Sequence, residues 1–354
     1  MRGKLALASF VYVCRISSGS SRRRTLVSEP TSTRSPERIV DVAVGYMAAK
    51  QLFAASRIGL FAALGGGPLT AGELALKTGR PENITRILAD AMSALGLLSR
   101  VDGRYELTAD TAAYLGGGEL DLAPFLTFLE EISYGHWLQF GRTADTGEPG
   151  ELDMDDQRWG TFLNGVMTYN ALHAKMLAAA FDYTPYRKLL DFGGLSSAFA
   201  VEAMTANADL HTTFVFDPRS VEPVTTAVAE AGLADRAEVV GAETATAQPA
   251  GRFDLIMVNH VVHRFTAEQN AVILRHARAA AAAGARLLLL DFFLDEDEVQ
   301  RPIDALHAGE YLVIDGTVVY PETEVRAWLA DAGWRVADRL TLPGSPRVLV
   351  AEAV

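Results

Sequence analysis

Residues 186–354 repeat one unit: a short apolar run, a small-residue turn, then an amphipathic or Ala-rich segment. That repetition constrains the fold more than any other feature. The runs predict strands over 188–192, 213–217, 238–240, 253–259, 286–292, 318–320 and 347–352. Helices are predicted over 198–206, from the Thr266–Gln269 capping box to 283, and over 322–332. Apolar runs this short, alternating with helices, imply an α/β fold: a doubly wound, mostly parallel sheet whose ligand sites lie at the carboxyl ends of the strands. Asp191 and Asp217 end the first two runs, and Gly193-Gly194-Leu195-Ser196-Ser197 follows the first.

The preceding segment reads differently. From Ile39 to Leu64 apolar residues recur at helical spacing until Gly65-Gly66-Gly67-Pro68 stops them. Thr70 and Glu73 form a capping box for a helix ending near Thr78-Gly79, and Pro81-Glu82 opens a third helix to Leu95. Runs 97–101 and 104–108 around Asp102-Gly103 predict a hairpin. Three helices and a two-stranded wing make a winged helix. Its third helix offers Arg86 but also Glu82 and Asp90 between apolar faces, so a dimerisation role is favoured over a nucleic-acid one. Helices over 121–180 carry many aromatics, most of them expected in core or subunit packing. His136, Trp159, Met167 and Asn170 are the candidates there to line a substrate pocket.

Charge sharpens the division. Residues 1–36 hold seven basic residues against Glu29, so the rest of the chain is more acidic than its overall net charge of −12. A surface that acidic repels a phosphate backbone, which excludes a nucleic-acid partner. Residues 17–36, rich in Ser, Thr, Arg and Pro, are expected to be disordered. Residues 1–13 imitate a secretory leader but show no clear cleavage site, so an extended N-terminus is preferred. Cys14 is the only cysteine, which excludes a disulfide scaffold and fits the cytoplasm. No apolar run reaches membrane-spanning length, and no His/Cys/carboxylate group has metal-ligand spacing.

Several motifs together resemble a known family. They are the strand ends at Asp191 and Asp217, the run His260-Val261-Val262-His263-Arg264-Phe265, the segment 284–291 ending in Asp291, and Tyr320 before an amphipathic helix. They resemble the S-adenosylmethionine-dependent small-molecule O-methyltransferases, in which a winged-helix dimerisation domain precedes a class I methyltransferase-like Rossmann fold. The resemblance covers residues 37–354. It implies a basic tail (1–36), a dimerisation domain (37–120), linking helices roofing the active site (121–180) and a catalytic domain (181–354). It also implies a homodimer acting on a small aromatic or polyketide-like metabolite.

The same resemblance implies that His263 is the general base for a substrate hydroxyl, with Asp315 or Glu310 as its supporting carboxylate. Asp191, Gly193, Gly194, Asp217, Glu243 and Asn259 would hold S-adenosylmethionine, and His260 would join the substrate residues. Three positions depart from the family pattern. Leu195 and Ser197 stand where it has glycine, and Ala242 where it has aspartate. They bring in an alternative, an enzyme of the same scaffold that does not methylate, of cyclase, hydroxylase or decarboxylase type; the winged helix brings in another, a non-enzymatic regulator.

Overall fold

The computed structural model describes residues 34–296 and 299–354. The basic tail, the leader-like segment and Cys14 fall almost wholly outside the described residues. Two compact units divide at Gly45, and the larger, from Tyr46 onward, contains all the strands.

The wing is the two-stranded antiparallel sheet of β1 (Leu98–Val101) and β2 (Arg104–Leu107). Asp102 and Gly103 both adopt positive φ, 50° and 76°, which matches the right-handed twist of the flanking strands. The helices Ala71–Thr78 and Glu82–Ala94 precede it, the first with the expected reciprocal Thr70–Glu73 capping box. The predicted first helix is in fact two, Glu37–Arg57 and Leu60–Leu64, separated at Gly59, whose φ of 75° ends the first. Leu60, Phe61, Leu74, Met92 and Tyr105 form the core of this region.

The remaining strands form one seven-stranded sheet. They are β3 (Lys188–Phe192), β4 (His211–Phe216), β5 (Ala237–Gly241), β6 (Phe253–Asn259), β7 (Ala281–Asp291), β8 (Trp334–Thr341) and β9 (Arg347–Ala353), in the order β5-β4-β3-β6-β7-β9-β8. Five are parallel, and β9 runs antiparallel to both β7 and β8. The strand order reverses between β3 and β6, so a crevice opens at their carboxyl ends. Period-two alternation supplies two cores from the same strands. Leu190, Phe192, Ile256 and Val258 pack on one face, and Leu189, Leu255 and Met257 on the other.

Three expectations need correction. Residues 318–320 are not a strand; they lie in an irregular segment, and only Pro321 bridges to Leu294. The strand that follows, β8, was not predicted because Arg335, Asp338 and Arg339 break its apolar pattern: an edge strand with a bulge near Asp338 keeps its charges in solvent. Helix Pro302–Asp315, rich in mixed polar and apolar residues, was not predicted as an element.

Candidate functional site: a histidine–carboxylate dyad at the sheet's switch point

Strands β6 and β7 run in parallel, with Asn259 opposite Leu290, so the turn after Asn259 and the last residue of β7 meet at one edge. His260 makes that turn in a left-handed conformation, φ 54°, and its N–H donates to the Leu290 carbonyl at 2.8 Å. A residue with a Cβ adopts this conformation only when its surroundings hold it there. The short 3-10 turn Val262–Arg264 follows, with Val262 buried beneath it.

This turn sets the His263 ring against Asp291. Its Nδ1 lies 3.0 Å from both carboxylate oxygens, and Asp291 also accepts the Phe292 N–H at 2.9 Å. Burial pushes the fully buried Asp291 carboxyl toward its neutral form, but the neighbouring His263 ring outweighs this and holds it below the ordinary carboxylate range. An ionised Asp291 requires Nδ1 to carry the hydrogen, which leaves Nε2 as the ring's acceptor. The Tyr311 ring stacks on His263 at 4.3 Å, and the His263 side chain remains 12% accessible. A buried carboxylate orienting an accessible imidazole is the arrangement of a general base.

More histidines close in behind the dyad. His173 Nδ1 lies 3.0 Å from His260 Nε2, and the His307 ring stacks on Phe292 at 3.8 Å. Burial lowers the pKa of His260 to about 3 and that of His307 to about 4, keeping both neutral. Sequence spacing had shown no metal-ligand set. The fold nevertheless brings His260, His263 and Asp291 together, each with one potential ligand atom within 4.8 Å of the others.

Glu310 and Asp315 do not support His263. Glu310 accepts from Ser133 Oγ at 2.9 Å and from the Trp137 indole, with burial raising its pKa. Asp315 is exposed at the end of its helix and accepts from Thr317 Oγ1 at 2.6 Å. The carboxylate on His263 is Asp291. It was legible as an acid ending a predicted strand, the same signal that drew attention to Asp191 and Asp217, but its partner lies 28 residues away. His173, His307 and Tyr311 gave no sequence signal, since isolated ring residues on helices read as core.

The other candidates cluster by strand end. Asp191 is buried at the end of β3, its burial raising its carboxyl well above the usual range, and its Oδ2 has no partner. Asn259, at the end of adjacent β6, is buried with both amide atoms unpaired. Polar atoms orphaned side by side at a switch-point crevice suit a polar ligand there. Gly193 has φ 77°, and a Cβ on it would meet Thr244 Cγ2 at 2.3 Å; one on Gly194 would crowd Phe216 at 3.2 Å. Leu195 is 42% exposed, and Ser197 is buried at the start of helix Ala198–Ala206. Asp217 accepts from the Arg219 N–H and pairs with its guanidinium, both at 2.9 Å, while Glu243 is exposed.

His136 and Trp159 line one cavity of about 540 Å³ together with Asp315. Met167 and Asn170 lie on helix Asp156–Ala180, half-buried and buried, and do not line that cavity.

Comparison with known proteins identifies the family. A family model described as an O-methyltransferase domain matches residues 138–335, and one described as an O-methyltransferase dimerisation domain matches residues 40–117. The chain is 30% identical over 315 residues to the 3-hydroxy-5-methyl-1-naphthoate 3-O-methyltransferase of Streptomyces sahachiroi, covering 86% of this chain and 91% of that one. It is 26% identical to the O-demethylpuromycin-O-methyltransferase of Streptomyces alboniger, covering 90% of this chain and 88% of that one. Among solved structures, the S-adenosylmethionine-dependent methyltransferase SibL in its apo form superposes with a TM-score of 0.78 at 26% identity, over 90% of this chain and 99% of that one. The pyocyanin biosynthetic protein PhzM, at 18% identity and a TM-score of 0.81 over 90% of this chain and 98% of that one, shares the fold. With the domain matched over more than half its length and a close relative spanning most of it, the chain belongs to the O-methyltransferase family and is an enzyme of that family.

Proposed function

We propose that this enzyme methylates a hydroxyl of a small aromatic or polyketide-like secondary metabolite, using S-adenosylmethionine, with His263 as the general base. The His263–Asp291 pair carries the reading. The substrate O–H gives its proton to Nε2 of His263 as the oxygen attacks, and ionised Asp291 stabilises the imidazolium that forms. The donor supplies an electrophilic methyl on a sulfonium. The unpaired atoms of Asp191 and Asn259 suit its polar amino-acid and ribose groups. Asp217 and Glu243 are the further candidates to hold it, and Asp217 must exchange its Arg219 contact for a ribose. Stacked Tyr311 orients the base and keeps water from it.

Relatives of this chain are named for methylating 3-hydroxy-5-methyl-1-naphthoate and O-demethylpuromycin, which favours a secondary-metabolite substrate. The dimerisation match over residues 40–117 and the exposed Ile84 and Ile87 favour a homodimer. Among the described residues no helix is long and apolar enough to cross a membrane. The division at 120 and 180 into dimerisation, roofing and catalytic parts goes with this reading.

Calorimetric titration with S-adenosylmethionine and its demethylated product tests the proposal. Micromolar binding by the wild type is expected. One observation favours a second reading, a non-methylating enzyme on the same scaffold: Leu195, Ser197 and Ala242 depart from the family at the donor crevice. No binding by the wild type, with affinity gained in Leu195→Gly/Ser197→Gly, would establish that reading instead.

A further inference from the structure

The cavity of about 540 Å³ is lined by His136, Trp159, Phe162, Asp153 and Asp315 among others. Tyr311 stacks on His263, and Asp315, four residues further along the same helix, lines the cavity, so one helix borders both the dyad and the cavity.

The chemistry of the lining is one-sided. His136 is only 4% exposed, and neither of its ring nitrogens has a partner. Burial lowers its pKa against the opposing pull of Asp315, so the ring presents one acceptor and one donor. Trp159 and Phe162 meet edge to face at 5.6 Å and form an aromatic wall. The carboxylates of Glu151, Asp153 and Asp315 line the cavity, and no lysine or arginine does. Arg142, outside the lining, pairs with Glu151 at 3.2 Å, and Arg158 donates to the Asp153 backbone carbonyl, so the Asp153 and Asp315 charges stay uncompensated within the lining.

We propose that this cavity holds the distal end of the acceptor substrate and selects an aromatic molecule bearing a protonated amine over one bearing a carboxylate. The ammonium donates to the free acceptor nitrogen of His136, faces the aromatic wall and is attracted by Asp315 and Asp153. A carboxylate meets the same two charges without a cation to pair it, which rejects it. This deepens the methyl-acceptor reading and rests on it.

The probes are 1-naphthylmethylamine and 1-naphthoate, one ring system with opposite charge, titrated calorimetrically into the full-length protein at low salt. The amine is expected to bind at least tenfold more tightly. Asp315→Asn should weaken the amine about fivefold and leave the naphthoate unchanged or improved. His136→Phe, which keeps volume but removes both ring nitrogens, should weaken the amine three- to tenfold. Affinity for S-adenosylmethionine, measured in parallel, reports on folding and on the methylation reading separately. Equal or tighter naphthoate binding overturns the proposal, as does a folded Asp315→Asn variant with unchanged amine affinity. Loss of donor binding alone would instead sink the methylation reading.

Discussion

At the residue scale the proposed chemistry turns on which ring nitrogen of His263 is free. Asp291 fixes the hydrogen on Nδ1. Asp291→Asn replaces an acceptor-only group with one that can donate to Nδ1, which moves the ring hydrogen to Nε2 and removes the base. Turnover of a methyl-accepting substrate should fall about 100-fold or more with little change in KM, and His263→Ala should fall about as far. A KM effect alone in either variant would remove the dyad from the mechanism. The buried histidines have a separate consequence. His260, with a pKa near 3, and His307, near 4, titrate far below an exposed imidazole at about 6.5. Between about pH 4 and 6.5 the unfolded chain therefore binds protons that the folded one refuses, so stability rises with pH across that window and is lost as pH falls through it. The urea midpoint should increase from pH 4.5 to 6.5. His307→Phe, which preserves the stack on Phe292, should flatten that slope by about one proton, roughly 1.4 kcal/mol per pH unit.

At the element scale, turns and caps place the site. The β3 turn works only because Gly193 adopts φ 77° against Thr244. Gly193→Ala should cost about 2 kcal/mol, from backbone strain and a clash with a buried side chain, and a denaturant melt would register it. Thr244→Ala in that background should recover only part of the loss, because the dihedral strain remains. A neutral Gly193→Ala would show that the loop rearranges. Local signals of this kind were legible in the sequence: both capping boxes, the Asp102-Gly103 hairpin and the span of β6 needed no knowledge of distant residues. Edge strand β8 was not, because a strand paired on one side keeps charged residues that break the apolar alternation.

At the scale of the whole molecule, helix Glu82–Ala94 of the winged helix exposes isoleucines and carries a single, paired arginine. Ile87 is 56% and Ile84 42% exposed on helix Glu82–Ala94, while Arg86 pairs with Asp90 on that helix. Such a surface suits another protein surface better than a phosphate backbone. Ile84→Asp/Ile87→Asp should shift the protein from dimer to monomer in sedimentation at micromolar concentration, with secondary structure unchanged by circular dichroism. A dimer that persists in this folded variant would place the interface elsewhere.

The sequence by itself determined the alternation of strands and helices, the acid-terminated strands and the histidine run, because each is written in local periodicity, capping or turn chemistry. Only the tertiary structure decided which carboxylate serves His263. Parallel register between β6 and β7 carries Asp291 to the turn that holds the ring, whereas Glu310 and Asp315 sit on a helix that turns them toward Trp137 and Thr317. Likewise His173 and His260, 87 positions apart, share a hydrogen bond that no spacing rule contains. Contacts between distant segments depend on how sheets and helices pack, and packing is a property of the whole chain.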